Sequence, residues 1–137
     1  PPPRKAVEDG QATVHASFVP LSTPMSFAGP DVVCCVVGSS VCLWNLTNGA
    51  RDFIHTASHS ISKICGNPAK GLVAFCEGGT SPQAFIYSLE TRKQLFSLSN
   101  LTELELADMS FSACGSRLYA LSRATSKRLL VFSTTTG

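Results

Sequence analysis

Short apolar runs separated by polar turns recur along this chain from about residue 30 onward. Val32–Val37 is continuously apolar, the pattern of a strand buried on both faces. Gly38-Ser39-Ser40 then predicts a turn, and Asn48-Gly49 is a strong hairpin signal because both residues tolerate positive φ. Three stretches share this layout of strand, polar loop and second strand. They are VVCCVVGSSVCLWNLTNG (32–49), LVAFCEGGTSPQAFIYSLETRK (72–93) and LYALSRATSKRLLVFSTTTG (118–137).

An aromatic residue in the second strand of each stretch sets the length of the repeat. Trp44, Tyr87 and Phe132 occupy this position, at intervals of 43 and 45 residues. A period of about 40 to 45 residues with several strands per unit is typical of the blades of a β-propeller. We therefore expect an all-β fold, a propeller fragment with two full four-stranded blades and part of a third.

The pattern also predicts where the units begin and end. Residues 1–12 begin with three prolines, which are followed by polar sequence, and we expect this segment to be a flexible lead-in. The segment 21–30 contains prolines and a glycine and is predicted to be a loop. The rest, 13–137, is expected to be the partial propeller, with blades of about 13–56, 61–98 and 104–137. The expected strands are 13–19, 32–37, 41–46, 51–56, 61–66, 72–77, 84–88, 94–98, 106–112, 118–122 and 129–133, so that the chain would end within a blade.

Composition narrows the class of partner. Hydrophobic residues make up 44% and charged residues only 15%, which excludes disorder for most of the chain. The net charge of +2 implies no strong attraction to nucleic acid or to an acidic membrane surface. No apolar run approaches the roughly 20 residues of a membrane-spanning helix. We expect neither a nucleic acid nor a membrane as partner.

The six cysteines have no C-x-x-C spacing, and we interpret them as free buried thiols in a reducing compartment. Two glycosylation sequons, which begin at Asn45 and Asn100, are interpreted as accidental. A secreted sandwich with three disulfides is the alternative to this interpretation. His55 and His59 are four residues apart but flank a loop, so the sequence predicts no metal site. Since it also lacks a phosphate loop and a nucleophile elbow, we expect no cofactor and no enzymatic activity.

Several segments resemble WD40 repeats. His59-Ser60-Ile61 resembles the histidine-led start of the first strand, and Phe111–Leu118 resembles the "F-S-P-D-G-x-x-L" turn, with Ala113 and Cys114 in place of Pro and Asp. Leu43-Trp44-Asn45 stands where the family has "x-W-D". Small residues at Cys34, Ala74 and Ala120 match its crowded second strand. The chain has no Gly-His dipeptide and no aspartate before the third strands, so the hydrogen-bonded Asp-His-Ser-Trp network of that family cannot form intact.

A narrower resemblance concerns the long connection before the third strand of the second unit. Glu77-Gly78-Gly79, followed by Pro82 and Phe85-Ile86-Tyr87, is similar to the propellers of ciliary and flagellar axonemal WD-repeat proteins and of EMAP-type proteins. This resemblance implies a large structural protein of the cytoskeleton and axoneme that tethers dynein or other complexes to doublet microtubules. The alternative is another intracellular WD40 scaffold: a ubiquitin-ligase substrate receptor, a ribosome-assembly factor or a vesicle-coat subunit.

Loops between second and third strands are the candidate contacts with other proteins, because loops tolerate insertions and carry function. The basic residues around 117–128 are interpreted either as solvated loop charges or as a contact for an acidic partner such as tubulin. Besides such a partner or dynein, the remaining blades of the same propeller are expected to pack against this chain. The candidate contact residues are Ser39, Ser40, Glu77, Gly78, Gly79, Arg123, Lys127 and Arg128.

Overall fold

A computed structural model gives the structure of residues 25–56, 60–79, 82–99, 106–123 and 127–136. These residues form β-strands and no helix, and therefore hold no helix long and apolar enough to cross a membrane. The all-β fold expected from the sequence is confirmed. The strands are β1 (Met25–Gly29), β2 (Val32–Val37), β3 (Ser40–Asn45), β4 (Arg51–His55), β5 (Ile61–Asn67), β6 (Leu72–Glu77), β7 (Ala84–Ser88), β8 (Lys93–Leu98), β9 (Leu106–Phe111), β10 (Arg117–Ser122) and β11 (Leu129–Ser133).

The strands form three antiparallel sheets in which each strand pairs with the next one along the chain. Sheet 1 contains β1–β4, sheet 2 contains β5–β8, and sheet 3 contains β9–β11. Every strand expected from residue 32 onward is confirmed, with bounds that agree within one residue. The agreement follows from the strong turn residues, such as Gly38 and Gly49, that separate the apolar runs.

The prediction of a loop at 21–30 is wrong for its second half, because β1 occupies Met25–Gly29 and pairs with β2. Pro30 directly follows this strand rather than interrupting it, so it removes no ladder hydrogen bond. Burial against sheet 2 supplies the stabilisation that local sequence did not reveal, since Ala28 is fully buried. The lead-in at 1–12 and the expected strand at 13–19 lie outside the described residues.

Two apolar layers hold the sheets together. The first lies between sheets 1 and 2 and the second between sheets 2 and 3. Sheet 2 is therefore covered on both faces, and β6 is buried along almost its whole length. In sheet 3 the residues of β10 alternate instead between buried and more exposed positions, because only one face packs against sheet 2. The first layer is built by Ala28, Cys34, Val36, Val41, Leu43, Ile64, Val73 and Phe75, and the second by Cys65, Leu72, Ala74, Cys76, Ala84, Ile86, Leu98, Leu106, Met109, Leu118 and Ala120.

The first strands of the three sheets, β1, β5 and β9, lie side by side. The Gly66 nitrogen of β5 donates a hydrogen bond to Ser26 Oγ of β1 at 3.1 Å. At the other interface, Asn67 Nδ2 of β5 donates to the Ser112 carbonyl oxygen, directly after β9, at 3.0 Å. Since strand pairing continues outward from these three strands, each sheet presents its first strand to its neighbour.

One backbone hydrogen bond recurs in every sheet. The nitrogen two residues after the repeat aromatic donates to the carbonyl oxygen just before the second strand: Leu46 to Asp31 at 2.7 Å, Leu89 to Gly71 at 2.9 Å and Thr134 to Ser116 at 3.0 Å. The residue directly after the aromatic also has one role. The side-chain oxygens of Asn45, Ser88 and Ser133 each accept a hydrogen bond from a nitrogen in the following turn. The sequence repeat is therefore a structural repeat.

Strand register corrects one expected equivalence. Cys34 pairs with Leu43 and Ala74 with Ile86, in each case one residue before the repeat aromatic. The residue of β10 at that position is Tyr119, which pairs with Val131, and not Ala120. Because successive side chains of a strand alternate between faces, Ala120 points to the opposite face and packs back against sheet 2. The sequences LVA (72–74) and LYA (118–120) are so similar that an alignment by residue type misses this shift of one residue.

Candidate interaction surface

The loops between second and third strands lie at one common end of the three sheets. In an antiparallel meander the second connection and the link to the next sheet leave from the same edge, opposite the first and third turns. The side-by-side arrangement of β1, β5 and β9 carries this direction from sheet to sheet. We call this the connection end, and the opposite edge, which holds the repeated turns, the turn end. All eight predicted contact residues lie at the connection end.

Ser39 and Ser40 lie in the tightest of the three connections. Val37 pairs with Ser40, so only Gly38 and Ser39 form the loop, and Gly38 has a φ of 61°. This is the geometry in which glycine at the first loop position matches the twist of the flanking strands. Ser40 Oγ lies 3.0 Å from His55 Nδ1, and the Ser39 carbonyl oxygen accepts a hydrogen bond from Thr56 Oγ1 at 2.8 Å. These contacts fix the loop, and Ser39 remains exposed.

Glu77, Gly78 and Gly79 open the longer connection of sheet 2. The Glu77 nitrogen donates to the Gln83 carbonyl oxygen at 2.9 Å, which closes a loop of five residues, 78–82. The Gly78 nitrogen donates to the Ser60 carbonyl oxygen at 3.2 Å. Gly79 is exposed, with a φ of 113° that an L side chain rarely adopts. Residues 80 and 81 lie outside the described residues.

Arg123, Lys127 and Arg128 belong to the equivalent connection of sheet 3. Ser122 closes it, since its nitrogen donates to the Arg128 carbonyl oxygen and its Oγ accepts from the Arg128 nitrogen, both at 2.9 Å. Residues 124–126 of this loop lie outside the described residues. The three basic residues are exposed, whereas Glu77 is half-buried. The predicted loop charges therefore give the described part of the connection end a positive balance.

Of the two histidines whose spacing was considered for a metal site, the structure describes His55. His55 contacts Ser40 and stacks against Phe53, with ring centroids 6.3 Å apart and an interplanar angle of 14°. His59 lies outside the described residues. Among the residues that the structure describes, no group of three His, Cys, Asp or Glu side chains is placed to hold a metal ion.

Sequence reasoning missed the exposed thiol of Cys114. All six cysteines are free, and five are buried as expected, but Cys114 lies exposed in the β9–β10 turn at the turn end. Its Sγ is 3.0 Å from Ser116 Oγ and 3.5 Å from Ser112 Oγ. These contacts lower the pKa of the Cys114 thiol to about 6. The signal was present in the sequence, because Cys114 lies in the short polar segment 112–116 between two predicted strands and not in an apolar run.

The other cysteines have the opposite environment. Burial raises the pKa of Cys34 and of Cys65 to about 12 and that of Cys42 to about 11. Burial also raises the pKa of Cys35, the cross-strand neighbour of Cys42. These thiols therefore behave as small apolar core residues.

Neither kind of comparison with known proteins assigns this chain to a family. No protein-family model matches it, and no curated protein matches it. What the chain does has to be inferred from its repeated sheets and from the loops at their common end.

Proposed function

We propose that this chain is part of a WD40-like β-propeller and acts as a non-enzymatic scaffold for protein interactions. One observation carries the proposal: neighbouring sheets meet through their first strands at both interfaces, by way of Gly66 to Ser26 and Asn67 to Ser112. When successive sheets are related by the same rotation, the strands at which they meet are arranged around a common axis. That is the construction of a propeller, in which the sheets surround a central channel.

The connection end supports the choice of a binding role. A propeller presents its loops on a rigid frame, so a partner meets a surface that loses little conformational entropy on binding. Here the frame is fixed by backbone hydrogen bonds at the loop bases, at Glu77 and at Ser122. Arg123, Lys127 and Arg128 add exposed positive charge. The mechanism is the presentation of a surface, with no bond made or broken and no cofactor.

For the partner, we infer an acidic protein surface in a large cytoskeletal assembly, with tubulin or axonemal dynein as the leading candidates. Complementary charge speeds encounter and fixes orientation, which suits a tether. The five-residue connection of sheet 2 supports the resemblance to axonemal propellers, since it supplies their longer, glycine-containing loop before the third strand. The proposed location is accordingly the cytoplasm and cytoskeleton, in the axoneme of a cilium or flagellum.

Co-sedimentation with axonemal doublet microtubules tests this proposal. We expect the protein to sediment with doublets, and K127Q/R128Q to weaken its binding about fivefold, the equivalent of two exposed charge contacts of about 0.5 kcal/mol each. The loss should shrink as salt is raised, because salt screens exposed charges.

A matched control removes two exposed lysines from the turn end of sheet 2. Lys70 lies in the β5–β6 turn and Lys93 begins β8, both at the turn end, so K70Q/K93Q changes the net charge equally. Equal losses for the two variants would show that only total charge matters and would contradict binding through the connection end. If the protein leaves doublets in the supernatant but binds a ubiquitin-ligase, ribosome-assembly or vesicle-coat complex, the alternative WD40 function is favoured instead.

A further inference from the structure

The turn between β3 and β4 joins an asparagine directly to a glycine. Asn48 and Gly49 lie in a run of eight exposed residues, 46–53, which begins at the turn end. Glycine has no Cβ, so the main-chain nitrogen that follows Asn48 can be approached without steric hindrance. An ideal Cβ built on Gly49 meets no atom within 4 Å, and the space around this peptide is therefore open.

The side chain of Asn48 is already folded back over the main chain. Its Oδ1 accepts a hydrogen bond from the Ala50 nitrogen at 2.8 Å, so the carboxamide lies across the Gly49 peptide. A donor at this oxygen also stabilises negative charge that develops there when the amide carbon is attacked. The turn thus combines an unhindered nitrogen, an adjacent amide carbon and a hydrogen-bond donor.

We propose that Asn48 is a site of spontaneous deamidation. The Gly49 nitrogen attacks Cγ of Asn48 and forms a new N–Cγ bond. The Cγ–Nδ2 bond breaks, and Nδ2 leaves as ammonia with the proton that the Gly49 nitrogen gives up. Water then opens the resulting succinimide at either carbonyl, which yields aspartate or isoaspartate. Water is the only co-reactant, and the site requires no partner protein.

The two other asparagines that the structure describes are internal controls. Asn67 is buried and precedes Pro68, whose nitrogen carries no hydrogen and cannot close the ring. Asn45 precedes Leu46, whose nitrogen is engaged with the Asp31 carbonyl oxygen at 2.7 Å and whose side chain adds bulk. Only Asn48, among the described residues, has a glycine after it.

One contact opposes the reaction in the folded protein. The Gly49 nitrogen donates to the Asn45 carbonyl oxygen at 2.9 Å, and this bond must open before the nitrogen can attack. A single exposed hydrogen bond has a small net free energy, so we expect it to slow the reaction by no more than about tenfold relative to the unfolded chain.

The consequence falls on β4. Both products add a negative charge to the turn, and isoaspartate also lengthens its main chain by one carbon atom. The next residues hold β4 in place: the Arg51 guanidinium lies 4.8 Å from the Trp44 ring centroid, and Asp52 forms an ion pair with Arg92 of sheet 2. Isoaspartate at position 48 would therefore weaken the contacts of β4, the outer strand of sheet 1, with Trp44 of β3 and with Arg92 of sheet 2.

Peptide mapping after incubation of the folded protein at mildly alkaline pH tests the proposal. Isoaspartate is detected with an isoaspartyl methyltransferase, and the same protein in urea supplies the unfolded rate. We expect isoaspartate at position 48 in the folded protein, at a rate within about tenfold of that in urea. Asn45 and Asn67 should stay intact over the same period, and N48Q should abolish the signal.

Three results would overturn the proposal. Conversion in urea alone would show that the Gly49 hydrogen bond protects the site. Absence of conversion in both states would exclude the reaction altogether. Formation of aspartate without isoaspartate would show direct hydrolysis of the side chain, because the succinimide route produces both products.

Discussion

At the residue scale, the cysteines show how one side chain takes its chemistry from its surroundings. Cys34 and Cys65 lie in the two apolar layers, and Cys42 is buried beside its cross-strand partner Cys35. A thiolate would lose its hydration at each of these positions, so burial keeps the three thiols protonated. Cys114 is exposed and contacts two hydroxyl groups, which favour the thiolate. The thiolate is the reactive form, and Cys114 should therefore dominate the thiol chemistry of the folded protein.

We predict that Cys114 alone is alkylated rapidly by iodoacetamide in the folded protein. Since the pKa is lowered to about 6, the rate should rise with pH to a plateau above about 7, where the thiolate is fully formed. The other five cysteines should react only after unfolding. The measurement is the rate of alkylation against pH, with mass spectrometry to assign the modified residue.

The serine contacts supply the control for this prediction. S116A removes the nearer hydroxyl, 3.0 Å from Sγ, and should move the midpoint of the pH profile upward. C114S should abolish rapid labelling. A wild-type midpoint near the ordinary thiol value of about 8.5 would contradict the role given to Ser116 and Ser112.

At the element scale, the main chains of β1 and β5 approach each other closely at Gly66. An ideal Cβ on Gly66 would lie 2.1 Å from the Phe27 carbonyl oxygen and 2.9 Å from the Ala28 Cα, both main-chain atoms. Main chain cannot turn aside as a side chain can, so any larger residue must push the two strands apart. Gly66 is thus what allows sheets 1 and 2 to meet through their first strands.

We predict that G66A destabilises the protein by about 3 kcal/mol or more, because it overpacks a contact between two strands. G38A is the matched control. Gly38 has a positive φ of 61° but no atom within 4 Å of its Cβ position, so the same substitution there should cost only about 1 kcal/mol. Urea unfolding of both variants measures the two free energies. Equal losses would show that the β1–β5 contact relaxes easily.

The strand pattern could be predicted from the sequence because the signals that set it are local. Gly38, Gly49 and Gly71 mark turns by residue type alone. The apolar runs between turns are short, and short runs favour strands over helices. β1 was not predicted, since part of its stabilisation comes from β5, a segment distant in sequence, in addition to its pairing with β2. The predicted equivalence of Ala120 with Cys34 and Ala74 is wrong because a shift of one residue in register leaves the residue types nearly unchanged.

The candidate site was predictable in part for the same reason. The connection loops follow from strand order, so their common end could be inferred once the strands were known. The chemistry of Cys114 depends instead on the distances to Ser112 and Ser116 across a turn, and composition gives no such distances. Secondary structure could therefore be predicted from the sequence, whereas the geometry of side-chain contacts could not.

At the scale of the whole molecule, the two outer faces of the three-sheet stack remain partly apolar. On sheet 1, Met25 and Phe27 are 75% and 52% exposed, and on sheet 3, Leu129 and Val131 are 63% and 50% exposed. Both inner layers show that such faces pack against a neighbouring sheet. Under the propeller proposal, further blades cover these outer faces, and the 137-residue chain by itself should associate through them.

We predict that L129K/V131K reduces self-association of the isolated 137-residue chain. Leu129 and Val131 share the exposed face of β11. Two lysines at these positions place like charges on that face and oppose its burial. Sedimentation velocity measures the change.

L46K/L95K is the control with the same added charge, because Leu46 and Leu95, 41% and 43% exposed, lie in the β3–β4 turn and on the edge strand β8. If the control dissolves the aggregates equally well, net charge and not the open face of sheet 3 controls association. A face-specific effect would instead indicate that this face normally packs against another sheet.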